Sequence, residues 1–565
     1  MRMRVELVPL NPTVGDLKAN GAMVARAAVE GAARGAALVV VPELAVCGYP
    51  PKDVLGQSGF IEACMRASDE AGSVTGSAGV TLVMGTPWRD ERGLVRNALV
   101  TYRGGRRIGV YAKRLLPTYD VFDEDRYFVA GDEPGVIEVP HAGGVARVGL
   151  TICEDLWRGE DAGFSSRYAG VRDPVEDLAR AGCGLIVSPS ASPFVLGKTE
   201  RHRAIVRAHA ARHGVVVASV NQLGGNDDLV FDGHAFAFGA RGDEVVRGEL
   251  FAGEAVGFEA EGRGGVVAER SAEWMLYHAL VTGVKDYLRK TGFRGAVLGL
   301  SGGIDSALTA VIACAAVGAG NVRGVAMPSR YSSDHSKSDA CDLAERLGMR
   351  CDMVPIEEAF GGLARTLDAH FAGVGMPRLG EVLPDLTEEN LQSRIRGTIL
   401  MGISNRTGAI VLTTGNKSEL AVGYCTLYGD MNGGLAVLSD VTKQWVYRLS
   451  RWINDNHAAC GFAVPPIPEG SITKAPSAEL RPGQTDQDSL PPYDVLDAII
   501  DAYVEQKRGE GEIVAMGFDR GVVARVLRLI DLSEYKRKQA ATGLKVTTVA
   551  FGSGRRWPIA MRRGW

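Results

Sequence analysis

Leu300-Ser301-Gly302-Gly303-Ile304-Asp305-Ser306-Ala307-Leu308 is the stretch on which the fold turns. An apolar, β-rich run, Ala296-Val297-Leu298-Gly299-Leu300, stops at two glycines, and an apolar helix-like run starts at Ser306. Strand, glycine turn and helix together aim backbone N–H groups and the positive end of a helix at an anion. The side chains narrow the choice. A Walker-type loop requires G-x-x-x-x-G-K-[ST], with a lysine beside the transferred phosphate. Here Asp305, Ser301 and Ser306 surround the turn instead. Serine hydroxyls bond phosphate oxygens, and an aspartate at the mouth of such a loop can hold Mg²⁺. The competing reading is an ordinary glycine-rich turn, which leaves the five specified positions of S-G-G-x-D-S unexplained.

Working outward, the loop lies in the second of two β/α series. The second opens near Ser271 with an amphipathic run over residues 274–288 and continues through strands expected at 296–300, 322–326, 351–355 and 410–413. The first places strands at 5–10, 37–41, 81–84, 98–102, 145–152, 185–188 and 215–220, with an alanine-rich helix over 16–34. Between them, residues 253–265 are rich in glycine and charge and read as a linker. A chain of 565 residues fits two or more domains, and alternating elements make both of them α/β. Residues 465–492 hold seven prolines and read as a long loop over the second-half site.

Composition bounds the partners. A net charge of -4 gives no reason to expect nucleic acid or an anionic membrane. No run approaches the roughly 20 apolar residues that cross a bilayer, and Met1-Arg2-Met3-Arg4-Val5-Glu6-Leu7 lacks the apolar core of a signal peptide. The nine cysteines are an odd, scattered set without C-x-x-C, which argues for reduced thiols and a cytoplasmic setting.

In the first half, Glu43, Lys113 and Cys153 each follow an expected strand. A carboxylate, an ammonium and a thiol form a working set for amide hydrolysis. Lys113 is expected to favour the Cys153 thiolate and then the oxyanion, while Glu43 moves protons. The flanking sequences resemble the nitrilase superfamily: P-E-L-x-x-x-G-Y-P at 42–50, K-R-x-L-P-x-Y at 113–119 and C-E-D-L-W at 153–157. The resemblance covers about residues 1–260 and implies an α-β-β-α sandwich with a Glu-Lys-Cys triad. Residues 116–128 and 190–198 look like the glutaminase domains fused to NAD synthetases. By that match Tyr119, Ser192 and Lys198 would hold glutamine, Glu124 would be an additional glutamate near the nucleophile, and Arg126 would support it.

The second half resembles the same fused family. S-G-G-x-D-S is similar to the pyrophosphate loop of enzymes that cleave ATP to AMP and pyrophosphate. The match implies a Rossmann-like parallel-sheet ATP-pyrophosphatase domain, of adenine nucleotide alpha hydrolase type, over 271–565. It assigns Gly299, Leu300, Ser301, Gly302, Gly303, Ile304, Asp305 and Ser306 to ATP, together with Thr414 of T-T-G-N-K-S-E, Lys443 and Ser477. Asn390, Arg394, Glu419 and Lys536 fall where relatives meet deamido-NAD, and Asp305 and Glu419 would be the carboxylates on Mg²⁺. Ser477 stands where ammonia-dependent relatives carry threonine, and Leu427 where they carry lysine. The resemblance implies a homo-oligomer that takes deamido-NAD, ATP and L-glutamine. Two alternatives stand beside it: another glutamine-fed, AMP-forming amidotransferase, and a nucleotide sensor with an inactive ligase half.

Overall fold

The computed structural model describes residues 3–158, 167–260, 264–379 and 385–561. They divide into two compact units, Met1–Met275 and Leu276–Trp565.

The first unit contains two six-stranded sheets. One is formed by β1 (Arg4–Leu7), β2 (Leu38–Val40), β3 (Thr81–Arg89), β4 (Val95–Arg103), β5 (Arg106–Ala112) and β14 (Val256–Glu259), in the order β14-β1-β2-β3-β4-β5. The other takes β6 (Gly135–His141), β7 (Gly144–Leu150), β8 (Leu185–Ser190), β9 (Val216–Asn221), β12 (Ala235–Phe238) and β13 (Glu244–Arg247), in the order β13-β12-β9-β8-β7-β6. A hairpin of β10 (Leu223–Asn226) and β11 (Leu229–Asp232) stands apart. Strand alternation builds the layers. Leu38, Val40, Val83, Leu185 and Val187 face a core shared by the two sheets. Their neighbours Val39, Val41, Leu82 and Met84 face the other way, among residues of the helices Leu17–Ala33 and Phe60–Ser73. Ile186 and Val217 meet the helices Pro174–Arg180 and Lys198–His213 on the opposite outer face. The result is an α-β-β-α sandwich, and each fully buried Val or Leu contributes about 1.5–3 kcal/mol.

Two expectations shift. Residues 256–259, inside the expected linker, form edge strand β14 antiparallel to β1. The glycine content hid a strand whose Phe258 is core. The strand expected over 145–152 ends at Leu150, because the Ile152 N–H turns to Asp155 Oδ2 (2.8 Å) instead of a neighbouring strand.

The second unit is one sheet, β17-β16-β15-β18-β19-β20, formed by β15 (Ala296–Gly299), β16 (Val322–Ala326), β17 (Arg350–Met353), β18 (Ile410–Thr413), β19 (Leu435–Ala436) and β20 (Thr542–Gly543). Every pairing in it is parallel. From β15 the chain first builds outward through β16 and β17, then returns to β18 on the other side. Such a reversal of strand order opens a crevice at the carboxyl ends of β15 and β18, the place where open α/β sheets bind ligands.

Candidate active sites

In the first unit the chain brings Glu43, Lys113 and Cys153 to one end of the sandwich. Glu43 follows β2, and its backbone packs so closely on β3 that a Cβ at Gly85 would lie 2.3 Å from the Leu44 nitrogen. Lys113 directly follows β5. Its ammonium donates to Glu43 Oε1 (2.7 Å) and to both oxygens of Glu124 (2.9 and 3.0 Å). Asn97 of β4 donates to both glutamates (2.7 and 3.2 Å), Tyr49 to Glu124 (3.0 Å), and the Ala191 N–H to Glu43 Oε2 (2.9 Å). Cys153 opens a short 3-10 turn with φ +43, a left-handed conformation that costs a non-glycine residue about 1–3 kcal/mol and is characteristic of functional turns.

Burial alone would weaken the Lys113 ammonium, but the charges of Glu124 and Glu43 outweigh it and hold the pKa well above its usual value. Burial raises Glu124 to about 7 despite the neighbouring ammonium. Cys153 departs from expectation. Burial, reinforced by the Glu43 charge, pushes its thiol far up, and the opposing pull of Lys113 does not compensate. Both effects favour the neutral thiol over the thiolate that the sequence suggested.

Asp155 ties the site together: its carboxylate accepts the Arg114, Leu115 and Ile152 N–H groups (3.1, 2.9 and 2.8 Å) and the Tyr111 hydroxyl (2.7 Å). The lysine loop is thereby clamped to the cysteine turn. Glu154 is buried, which raises its pKa, and accepts from Tyr119 (3.0 Å) and Tyr168 (2.7 Å). Asn221 grips the Ser192 backbone at both N–H and C=O (2.8 and 2.9 Å), and Lys198 donates to the Pro193 carbonyl (3.2 Å). Arg126 does not join this group; it pairs with exposed Asp53 at 3.5 Å.

In the second unit, Gly302 adopts φ +75, and a Cβ there would lie 2.4 Å from the Ser336 carbonyl oxygen, so glycine is required. Ser306 Oγ donates to the Gly303 carbonyl (2.9 Å) and the Gly303 N–H to Ser301 Oγ (3.2 Å), which fixes the loop with its own serines. Asp305, in the first turn of the helix Ile304–Val317, pairs with Lys443 (2.5 Å) and accepts from Asn416 (2.9 Å). Lys443 also pairs with Glu419 (3.1 Å). Burial raises Glu419 to about 7, Lys443 pulling it down and Asp305 and Asp486 pushing it up.

A cavity of about 530 Å³ opens here, and every second-half residue singled out from the sequence lines it except Gly302. Around its wall Asn390 accepts from Thr426 (2.9 Å), Arg394 donates to the Leu427 carbonyl (3.2 Å), and Lys536 to the Gly423 and Cys425 carbonyls (2.7 Å each). The proline-rich segment lies against the loop: Ser471 Oγ donates to the Gly302 carbonyl (3.0 Å), and Ser477 Oγ to that of Gln484 (2.6 Å). Glu479 accepts from Ser333, Ser336 and Lys474.

Residues 4–254 match the carbon-nitrogen hydrolase family and residues 276–540 the NAD synthase family. The chain is 44% identical over 573 residues to the glutamine-dependent NAD(+) synthetase of Synechocystis sp., covering 98% of each. The chain belongs to the glutamine-dependent NAD(+) synthetase family. It is 41% identical to the Thermotoga maritima member, over 99% of each chain. Among solved structures it resembles the glutamine-dependent NAD+ synthetase of Acinetobacter baumannii in complex with adenosine diphosphate (36% identity, TM-score 0.75, 99% of this chain and 98% of that one). The Cytophaga hutchinsonii member shares the fold at TM-score 0.81, with 22% identity over 99% of this chain and 97% of that one.

Several residues at these centres were missed in the sequence. Glu154 and Asn416 stood inside quoted motifs, C-E-D-L-W and T-T-G-N-K-S-E, so their signal was present. Asn97 is one of several polar residues in β4, alongside Arg96, Thr101 and Arg103, and carried none.

Proposed function

We propose that the chain makes NAD from deamido-NAD, ATP, L-glutamine and water, releasing AMP, diphosphate and L-glutamate. A glutaminase within residues 1–260 supplies nitrogen to a ligase within 271–565. Family membership supports this reading, and one structural observation carries it. A single chain holds two distinct lysine–carboxylate centres, one beside a cysteine and one beside a phosphate-type loop.

In the glutaminase, Cys153 Sγ attacks the side-chain amide of glutamine. Glu43 takes the thiol proton as the C–S bond forms and passes it to the departing nitrogen, which leaves as ammonia. Lys113 stabilises the oxyanion. Water then hydrolyses the thioester, releasing glutamate. Glu154 is the carboxylate suited to the α-ammonium of glutamine, Lys198 suits its α-carboxylate, and Tyr119 and Ser192 complete the pocket.

In the ligase, a nicotinate carboxylate oxygen attacks the α-phosphorus of ATP and pyrophosphate leaves. Ammonia then attacks the acyl carbon of the mixed anhydride and AMP leaves. Residues 299–306, Thr414, Lys443 and Ser477 hold ATP, while Asn390, Arg394, Glu419 and Lys536 hold deamido-NAD. Among the described residues no group of three or more metal-ligating side chains occurs. Asp305 and Glu419 nevertheless converge on one cation, Lys443. Two carboxylates are a donor set suited to Mg²⁺ that keeps waters or substrate phosphate oxygens. Bound there, Mg²⁺ would neutralise phosphate charge. Positioning and electrostatics are all the chain itself need supply.

All nine cysteines are free, which supports a reducing, cytoplasmic setting. Assembly as a homo-oligomer belongs to the same reading. Among the described residues no helix is long and apolar enough to cross a membrane. The test is AMP release by purified protein: it should require deamido-NAD, and ATP cleavage without it would sink the proposal.

A further inference from the structure

The motif Thr413-Thr414-Gly415-Asn416-Lys417-Ser418-Glu419 sends its side chains in two directions. Asn416 caps the helix Lys417–Val422 by accepting the Glu419 N–H (3.0 Å) and donates to Asp305 (2.9 Å), while Glu419 meets Lys443. Lys417 lies between them, does not line the cavity and is wholly buried. Its ammonium pairs with Asp440 (2.9 Å) and Glu505 (2.7 Å) and donates to Thr547 Oγ1 (2.6 Å) and the Val549 carbonyl (3.0 Å). The acceptors are themselves tied down. Asp440 takes the Val546 and Thr547 N–H groups (2.7 Å each), and Glu505 takes that of Thr548 (3.2 Å).

One ammonium therefore gathers three remote segments, at 440, 505 and 546–549, onto the first turn of the helix that carries Asn416 and Glu419. Desolvating such an ion costs several kcal/mol, and well-packed apolar side chains of similar volume would fill the space at no loss of stability. What the ion adds is direction, since three fixed acceptors and the Asp440 charge allow the turn one orientation. Asn416 and Glu419 both depend on that orientation to face Asp305 and Lys443.

We propose that Lys417 is a positioning residue of the ligase centre, through which segment 546–549 holds Asn416 and Glu419 in register with Asp305. The proposal rests on the ligase reading given above. The experiment follows NAD formation from deamido-NAD, ATP and ammonium by the full chain, with melting temperatures, for wild type, Lys417→Met, Lys417→Arg and Thr547→Val. Wild type that makes no NAD from ammonium overturns the ligase reading and the proposal with it. Misplacement by an ångström costs on the order of 100-fold, so Lys417→Met should lose about that in kcat while KM for ammonium stays within about twofold. Lys417→Arg keeps the charge and should regain roughly tenfold of the loss. Thr547→Val removes one acceptor and no charge, and should lower kcat by about fivefold. It decides the matter if Lys417→Met does not fold. Variants that melt earlier yet keep the wild-type kcat below their melting point would make Lys417 a structural ion only and overturn the proposal.

Discussion

Lys113 and Lys443 each sit between two carboxylates, Glu43 and Glu124 in the N-terminal unit and Asp305 and Glu419 in the C-terminal one. In both centres burial lifts one carboxylate, Glu124 or Glu419, to about 7. Exposure separates them. Around Lys113 the glutamate side chains are 1% and 5% exposed, whereas Asp305 and Glu419 keep 17% and 18% of theirs open toward a cavity. The first arrangement is sealed and further pinned by Asn97, Tyr49 and the Ala191 N–H. In the proposed glutaminase it would act as a fixed field beside Cys153, where preorganised charge is worth most. In the proposed ligase the second would hold its carboxylates on a lysine that incoming phosphates and Mg²⁺ could draw away. On that proposal, similar charges would serve as fixed apparatus in one unit and as an exchangeable resting pair in the other.

If the centres are separable, the largest effect is on nitrogen source. Cys153→Ala should lower glutamine-supported NAD formation by on the order of 10⁴-fold or more, because it removes the nucleophile. Ammonium-supported formation should stay near wild type. Measuring NAD output with each donor checks this, and equal loss with both would erase the distinction between the two centres.

The next test compares the lysines directly. Lys113→Met strands two sealed carboxylates and should cost about 3–5 kcal/mol of stability in chemical denaturation, together with glutaminase activity. Lys443→Met leaves carboxylates that face the cavity, so its stability loss should be smaller, while kcat with ammonium falls about 10²–10³-fold. Equal destabilisation by both would refute the contrast between sealed and open centres.

The division also shows what was legible in the chain. Glycines, serines and Asp305 of the phosphate-type loop are contiguous, and their chemistry is local, so both loop and strand could be read directly. The cysteine, lysine and glutamate were legible as types after strands, but their electrostatic balance was not. The thiol was expected as a thiolate beside Lys113, whereas burial, which only the packed sandwich determines, pushes its pKa up. Asn97 reaches Glu43 across 54 positions of chain, and Lys417 finds Thr547 130 positions away. Such partners leave no local pattern. Strand β14 was hidden differently, since a short edge strand among glycines has too few residues to display an alternation.

A smaller effect concerns pH. The folded-state pKa of Glu124 is raised to about 7, above the roughly 4.3 of an unfolded glutamate. Folding thus favours the protonated form more than the unfolded chain does. Its stability contribution is full below about pH 4.3 and is lost as pH rises through about 7. Glu124→Gln keeps a hydrogen-bonding side chain without the charge. The stability difference from wild type should therefore shift in favour of the variant as pH rises from 5 to 8. Denaturant midpoints at several pH values report this, and a flat difference would show that Lys113 neutralises Glu124 fully.

The smallest expected change is Ser477→Thr. Ser477 lines the ligase cavity, and its hydroxyl donates to the Gln484 carbonyl and accepts the Glu479 N–H (3.1 Å). Those bonds shape the segment that carries Glu479 to Ser333 and Ser336 at the start of the helix Asp334–Leu347, beside Gly302. Threonine preserves the hydroxyl and adds one methyl at a half-buried position, so kcat with ammonium should stay within about threefold. Ser477→Ala removes the hydroxyl, leaves the Glu479 N–H without that partner, and should cost about 1 kcal/mol in loop order, seen as a several-fold rise in KM for ATP. If alanine behaves as well as threonine, the hydroxyl contributes nothing, and the loop is held by Ser471 and Glu479 alone. If threonine fails while alanine is tolerated, space rather than hydrogen bonding governs this position, and the open ligase centre is more tightly packed than its exposure suggests.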